Sequence, residues 1–148
     1  MPAGAFPMPG SGTVPPFGAG DWVVAENETF SDRSIILAGN LVIRPGGSLT
    51  LSNASLTMYS SYPEEHELRV MAGGTLRVLG GSMVSAFDSI NTHGFWLEAG
   101  STAVLANSTF IACGIRYRET NQQITGGIIS QTDGLTVDNC TFAGAHVA

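Results

Sequence analysis

The 148-residue chain contains no lysine, and its only cations are six arginines set against 12 acidic residues. Charged residues make up 12% of the chain, about half of the roughly 25% found in an average soluble domain. The formal net charge is -6, and no run of basic residues exists that would follow a phosphate backbone. We therefore expect no nucleic-acid partner.

Long apolar runs are also missing. No stretch approaches the roughly 18 consecutive apolar residues of a membrane span, and no basic segment with an apolar run behind it marks a signal peptide at the start. We expect no membrane span in this segment. Because the sequence begins and stops abruptly, we expect it to be a piece of a longer protein that supplies any signal or anchor.

Cysteine and histidine are too few and too scattered for a familiar metal or disulfide motif. Cys113 and Cys140 are the only cysteines, and no C-x-x-C is present. They are either two small core residues or one bridge between neighbouring segments. His66 and His93 lie 27 residues apart, so they are candidates to stack and hold a metal. No third ligand accompanies them, and we expect neither a metal nor a cofactor.

The chain is rich in glycine and in short stretches in which every second residue is apolar. Residues 1–20 hold five of the seven prolines and read as a disordered tail or linker. The remaining residues, 21–148, contain four copies of a 16-residue pattern that begin at residues 41, 68, 95 and 127. The copies agree at four apolar columns: Ile43, Val70, Leu97 and Ile129; Leu49, Leu76, Ala103 and Leu135; Leu51, Val78, Leu105 and Val137; Leu56, Met83, Phe110 and Phe142.

Each copy predicts two or three short strands bent around corners. Apolar residues recur at every second position, as in strands with one buried face. Gly46-Gly47 and Gly73-Gly74 stand where a corner needs positive φ. A spacing of 27 residues is too short for a propeller blade and fits one coil of a single-stranded parallel β-helix. We predict an all-β solenoid of four to five coils that is truncated at its C-terminal end.

Two other architectures fit the pattern less well. A leucine-rich repeat places two residues between its last leucine and its asparagine, whereas "LTLSN" has one, and no copy contains a helical segment. A sandwich of antiparallel hairpins does not require like residues at the same place in every copy.

The run "GGSLTLSNASL" and its later copies resemble the right-handed parallel β-helix repeats of the pectin-lyase-like superfamily. The closest resemblance is to large archaeal and bacterial surface or secreted proteins. It covers roughly residues 21–148 and implies an extracellular or cell-surface location. The superfamily includes polysaccharide lyases, hydrolases, adhesins and plain stalks, so the resemblance specifies the fold and leaves the function open.

Catalysis by such a scaffold needs carboxylates close together on the outer face of adjacent strands. The only carboxylates at the outward positions of the aligned strands are Glu98 and Asp138, which lie on different strands. We therefore expect no catalytic residues. The predicted function is a non-catalytic scaffold or adhesion module with carbohydrate contact. The alternative is a fragment of a secreted polysaccharide lyase or glycoside hydrolase, with its active site in missing coils or in the 111–126 loop.

Two groups of residues are candidates for contact with polysaccharides or cell-surface glycans. An exposed tryptophan stacks on a sugar ring, and arginine pairs with a uronate or sulfate. The first group is Arg69, Trp96 and Glu98, and the second is Arg116, Tyr117 and Arg118. In the alternative interpretation, Trp96 lies under a loop of the next coil and the loop charges are merely solvated.

Four asparagines match the N-x-[ST] glycosylation pattern. Three of them, Asn53, Asn107 and Asn139, occupy one column of the repeat. We expect these three to form a buried amide ladder at a corner, where no glycan would fit. Asn27 lies outside that column and is the predicted glycosylation site.

Overall fold

The computed structural model describes residues 20–62, 65–87, 92–113 and 128–143, and it is a right-handed parallel β-helix. In these ranges, fifteen strands form three parallel sheets of five strands each, and each sheet takes one strand from every coil. The prediction of an all-β solenoid is confirmed, with five coils. No helix among these residues is long and apolar enough to cross a membrane.

The three sheets follow one another around each coil. The first sheet contains β1 (Trp22–Val24), β4 (Leu41–Ile43), β7 (Glu67–Val70), β10 (Gly94–Leu97) and β13 (Ile129–Ser130). The second contains β2 (Asn27–Ser31), β5 (Ser48–Ser52), β8 (Thr75–Leu79), β11 (Thr102–Ala106) and β14 (Gly134–Asp138). The third contains β3 (Ser34–Leu37), β6 (Ser55–Met58), β9 (Met83–Ala86), β12 (Thr109–Ile111) and β15 (Thr141–Ala143).

The core is a set of ladders in which like residues stack from coil to coil. Leu49 pairs in register with Leu76, which pairs with Ala103, and all three are fully buried. In-register parallel strands bring the same face of each coil inward, about 4.8 Å from the next. Like residues therefore recur at one column because each packs against its own equivalent.

Glycine makes the corner between the first and second sheets. Gly46, Gly73 and Gly100 have φ values of 86°, 85° and 88°. Residues other than glycine adopt such values only with strain. In the last coil, a side chain closes the corner. Thr132 Oγ1 donates to the Ser101 carbonyl at 2.6 Å and accepts from the Gly134 amide at 3.0 Å.

The structure adds a first coil that the repeat pattern did not reveal. β1, β2 and β3 pair in parallel with β4, β5 and β6. Trp22 pairs with Leu41, only 19 residues further on. The coil lacks the Gly-Gly corner and has Glu28 where the later copies have leucine or alanine, which explains why alignment missed it.

One inward residue of the third sheet was assigned wrongly. The ungapped alignment put Met83 in the column of Leu56 and Phe110, whereas the structure pairs both with Val84. Val84 is fully buried and Met83 is 38% exposed. The extra residue is in the corner Gly80-Gly81, because two glycines at positive φ replace the single asparagine of the neighbouring coils.

The last copy is also shifted, but only in its first strand. The alignment placed Ile129 beside Leu97, whereas the structure pairs Ile129 with Trp96 and Ser130 with Leu97. By Thr102 and Gly134 the predicted register is restored. A shift of one residue exchanges the two faces of a strand, so Ile129 lies in the outward column of Trp96.

Several predicted features lie outside the described residues. These are residues 1–19 of the proposed tail and residues 114–126 of the predicted 111–126 loop. The two cysteines are described, and both are free thiols. Cys113 is buried and Cys140 packs partly buried against the core, so the structure has no bridge between them.

Candidate functional site

The outer face of the first sheet brings together three of the predicted ligand-binding residues. Arg69 on β7 and Trp96 on β10 are in register on adjacent strands. Glu98 follows β10 directly, and Glu67 begins β7. All four side chains are half-buried. We call Glu67, Arg69, Trp96 and Glu98 the outer-face cluster.

Arg69 connects two carboxylates from neighbouring coils. Its Nε and Nη2 donate to the two oxygens of Glu67 at 2.8 and 3.2 Å, and its Nη1 donates to Glu98 Oε2 at 3.0 Å. The hydrogen bonds from Arg69 to Glu67, followed by those to Glu98, raise the pKa of Arg69, although burial opposes the shift. The other oxygen of Glu98 accepts from the Ala72 amide at 3.3 Å. Both carboxylates are thus held in fixed positions.

Trp96 lies along the sheet instead of standing away from it. A Cβ placed on Gly94 would come within 2.8 Å of Trp96 Nε1, so the ring occupies the space that a side chain at 94 would need. The guanidinium carbon of Arg69 is 5.4 Å from the ring centroid, within the range of a cation–π contact. Trp96 is therefore half-buried by its own sheet and its arginine neighbour.

The charges of the cluster change what it is able to bind. One guanidinium and two carboxylates sum to one negative charge, and three of the five N–H groups of Arg69 already donate to the two acids. A uronate or sulfate that approaches Arg69 would therefore be repelled by Glu67 and Glu98. The geometry therefore disfavours the interpretation of Arg69 as an anion ligand, and the indole of Trp96 stays the candidate for contact with a sugar.

Glu67 is the functional candidate that the sequence argument missed. We expected no two carboxylates on one face of neighbouring coils, and Glu67 and Glu98 correct that expectation. Glu67 was overlooked because it stands one residue before the aligned copy, although its spacing of two from Arg69 places it outward. Both carboxylates accept hydrogen bonds from the same guanidinium, which leaves neither free as the general acid of a glycosidase pair.

The asparagine column is exposed and interrupted. Asn53, Asn107 and Asn139 all have φ between 52° and 54°, a left-handed conformation that asparagine tolerates better than most residues. Asn139 Nδ2 donates to Asn107 Oδ1 at 2.7 Å, and Asn53 Nδ2 donates to Asp32 Oδ1 at 2.7 Å. The glycine corner at 80–81 separates these two pairs. Asn107 and Asn139 stack as expected, whereas the expectation that the three asparagines are buried is wrong, because all three are exposed.

Two further surfaces are visible only in the structure. The glycine interruption leaves an open polar groove lined by Asp32, Arg33, Ser34, Asn53, Ala54, Ser55, Gly81 and Met83. An exposed aromatic pair lies beyond the third sheet, where Tyr59 and Phe87 meet edge to face at 5.1 Å. They are 39% and 59% exposed. The sequence signal for this pair is an aromatic residue directly after each of β6 and β9.

The remaining predicted residues stay apart from the outer-face cluster or outside the described structure. Asn27 begins β2 and is exposed, while Arg116, Tyr117 and Arg118 fall in the undescribed segment 114–127. Within the described ranges, no group of three or more histidine, cysteine, aspartate or glutamate side chains is arranged to hold a metal. No protein-family model, curated protein or solved structure matches the chain.

Proposed function

We propose that the chain is a non-catalytic extracellular or cell-surface scaffold module that contacts neutral polysaccharide. The observation that carries the proposal is the Glu67–Arg69–Glu98 arrangement, in which the prominent charged groups of the first sheet form ion pairs with one another. Such a network fastens two coils together and offers neither a free acid nor a free base. The resemblance to surface and secreted β-helix proteins of the pectin-lyase-like superfamily points the same way.

Aromatic side chains on the outer surface support contact with sugars. The half-buried Trp96 ring extends over Gly94 on the outer face of the first sheet, and Tyr59 and Phe87 form a second aromatic surface. Aromatic faces stack on the C–H groups of a pyranose ring without any need for charge. A net charge of -6 repels acidic polysaccharides at a distance, so neutral glycans are the favoured class.

A glycan array with the purified chain tests the proposal, with Trp96→Ala and Phe87→Ala as variants. Loss of binding to neutral glycans in either variant identifies the surface used. Thr29→Ala serves as the control, because Thr29 is exposed on the outer face of the second sheet, whereas Trp96 lies on the first sheet and Tyr59 and Phe87 follow strands of the third. Absence of binding to any neutral glycan would contradict the carbohydrate part of the proposal.

Turnover assays on the same glycans test the scaffold part. We expect no release of reducing ends and no unsaturated products. Degradation that disappears in Glu98→Gln would replace the proposal with the alternative, a fragment of a lyase or hydrolase.

A further inference from the structure

A column of ligating side chains runs along the corner where the third sheet leads into the first. His66 and His93 each stand directly before a strand of the first sheet, and the register of Glu67 with Gly94 makes them neighbours. His93 also forms a parallel bridge with Cys113. His66, His93 and Cys113 therefore occupy three successive rungs, about 4.8 Å apart.

His93 is the unusual member of this column. Its side chain is fully buried, and neither ring nitrogen has a hydrogen-bond partner among the described residues. Thr92 Oγ1 and His66 Nδ1, at the same corner, are also buried without a hydrogen-bond partner in the described part of the chain. Burying a polar group without a partner is unfavourable, so unpartnered polar atoms concentrated at one corner point to a ligand that satisfies them.

Cys113 supplies the complementary donor on the next rung. Its side chain is 1% exposed, and its Sγ donates weakly to the Val84 carbonyl at 3.3 Å. Burial raises the pKa of Cys113 to about 12 and lowers the pKa of His93 to about 4. Near neutral pH the corner therefore holds a thiol beside an uncharged imidazole with a free lone pair.

We propose that Cys113 and His93 form a buried site for a soft monovalent cation of the Cu⁺ class. Thiolate is a soft ligand that suits Cu⁺, zinc and iron–sulfur clusters, and a two-donor, near-linear site suits a d¹⁰ monovalent ion. Divalent zinc takes three or four protein ligands, and the described residues do not bring together a group of that size. On binding, the Cys113 S–H bond breaks, an S–Cu bond forms and the proton passes to solvent.

Ag⁺ is the probe of choice, because it mimics Cu⁺ without redox chemistry. Cys140→Ser serves as the reference chain, since it removes the other thiol. Because both donors are buried, the reference is unfolded and refolded with excess Ag⁺ and then desalted. We expect one bound Ag⁺ per chain by elemental analysis, together with a rise in Tm over the metal-free protein.

Two variants in this background test the named ligands. Cys113→Ser should retain less than a tenth of the bound Ag⁺. His93→Leu should lose the Ag⁺-induced rise in Tm, yet keep or raise the metal-free Tm, because it removes two unpartnered nitrogens. The metal-free Tm of each variant shows separately that it folds.

Three results would overturn the assignment. They are no retained Ag⁺ in the refolded reference chain, equal retention in Cys113→Ser, and an unchanged Ag⁺-induced rise in Tm in His93→Leu. A Zn²⁺ arm tests the choice of metal, since one bound Zn²⁺ in place of Ag⁺ would refute a two-donor site. Because these readouts are stoichiometry and Tm, they are independent of glycan binding.

Discussion

The first and last coils are built on the same ladders but differ in burial. In the first coil, Trp22, Phe30 and Leu37 are at most 4% exposed. In the last, Val137 and Phe142 are 48% and 39% exposed, although they stand in register with the buried Leu105 and Phe110. Inward positions are therefore buried in the first coil and partly open in the last, although each of these coils stacks on only one neighbour among the described strands.

The first coil also carries features that end a ladder. Trp22 and Phe30 meet edge to face at 5.3 Å, and the Arg33 guanidinium lies 5.2 Å from the Phe30 ring centroid. Glu28 points inward in the leucine column and is 8% exposed. Inward-facing charge is a common way for a sheet to prevent further stacking. The last coil has apolar residues in the equivalent positions and stays open.

The largest expected effect is a difference between two coils in how far a leucine-to-alanine substitution lowers the free energy of unfolding. Leu76→Ala in the third coil should lower the free energy of unfolding by about 3 kcal/mol, because its site is closed on both sides. Leu135→Ala, the same substitution in the same column of the last coil, should cost about 1 kcal/mol, because Leu135 is only partly buried. Urea denaturation measures both. Equal costs would show that the last coil is as well covered as the third.

Association of the chain gives the second test. The open strand edges and the exposed Val137 predict self-association through the last coil. Val137→Lys should weaken it about tenfold, equivalent to about 1.4 kcal/mol. Ile36→Lys adds the same charge to the first coil and should leave association unchanged. Sedimentation velocity over a concentration series measures this, and equal effects of both variants would remove the distinction between the two ends.

The smallest expected effect concerns pH and Glu28. Burial, followed by repulsion from Glu26, raises the pKa of Glu28 above 4.5 in the folded state. The folded state therefore binds the proton more tightly, so the contribution of Glu28 to stability is present below pH 4.5 and is lost as pH rises through its folded pKa. Glu28→Gln should gain in Tm over wild type from pH 4 to pH 7. A difference in Tm that stays constant with pH would contradict the shift.

Much of the fold was predictable because a solenoid repeats its own constraints. The columns of Leu49 and Leu51 were assigned correctly, since each coil must match the one beneath it. Errors arose where a coil changes length. The added glycine corner at 80–81 moved Met83 outward. The corner from Ser130 to Gly134 is one residue shorter than the corner from Leu97 to Thr102, which placed Ile129 in the outward column. A gap-free comparison cannot register such local changes of length.

The candidate site was predictable in part. Periodicity placed Arg69, Trp96 and Glu98 on one outer face, and the structure brings them together. Periodicity could not show that Arg69 binds both Glu67 and Glu98, since the contact between Arg69 and Glu98 joins two coils diagonally. The sequence also could not show that the ring nitrogens of His93 lack a hydrogen-bond partner among the described residues. The burial of a side chain at this corner depends on contacts from three separate segments.

The sequence by itself determined that the chain coils into parallel ladders, with strands of period two and glycine or asparagine at the left-handed corners. These are local properties, set by side-chain alternation and by the φ values each residue tolerates. The tertiary structure alone decided which charges neutralise one another, which polar atoms remain unsatisfied and which end of the helix is open. Those outcomes depend on contacts between residues about a coil apart, and a linear pattern does not record them.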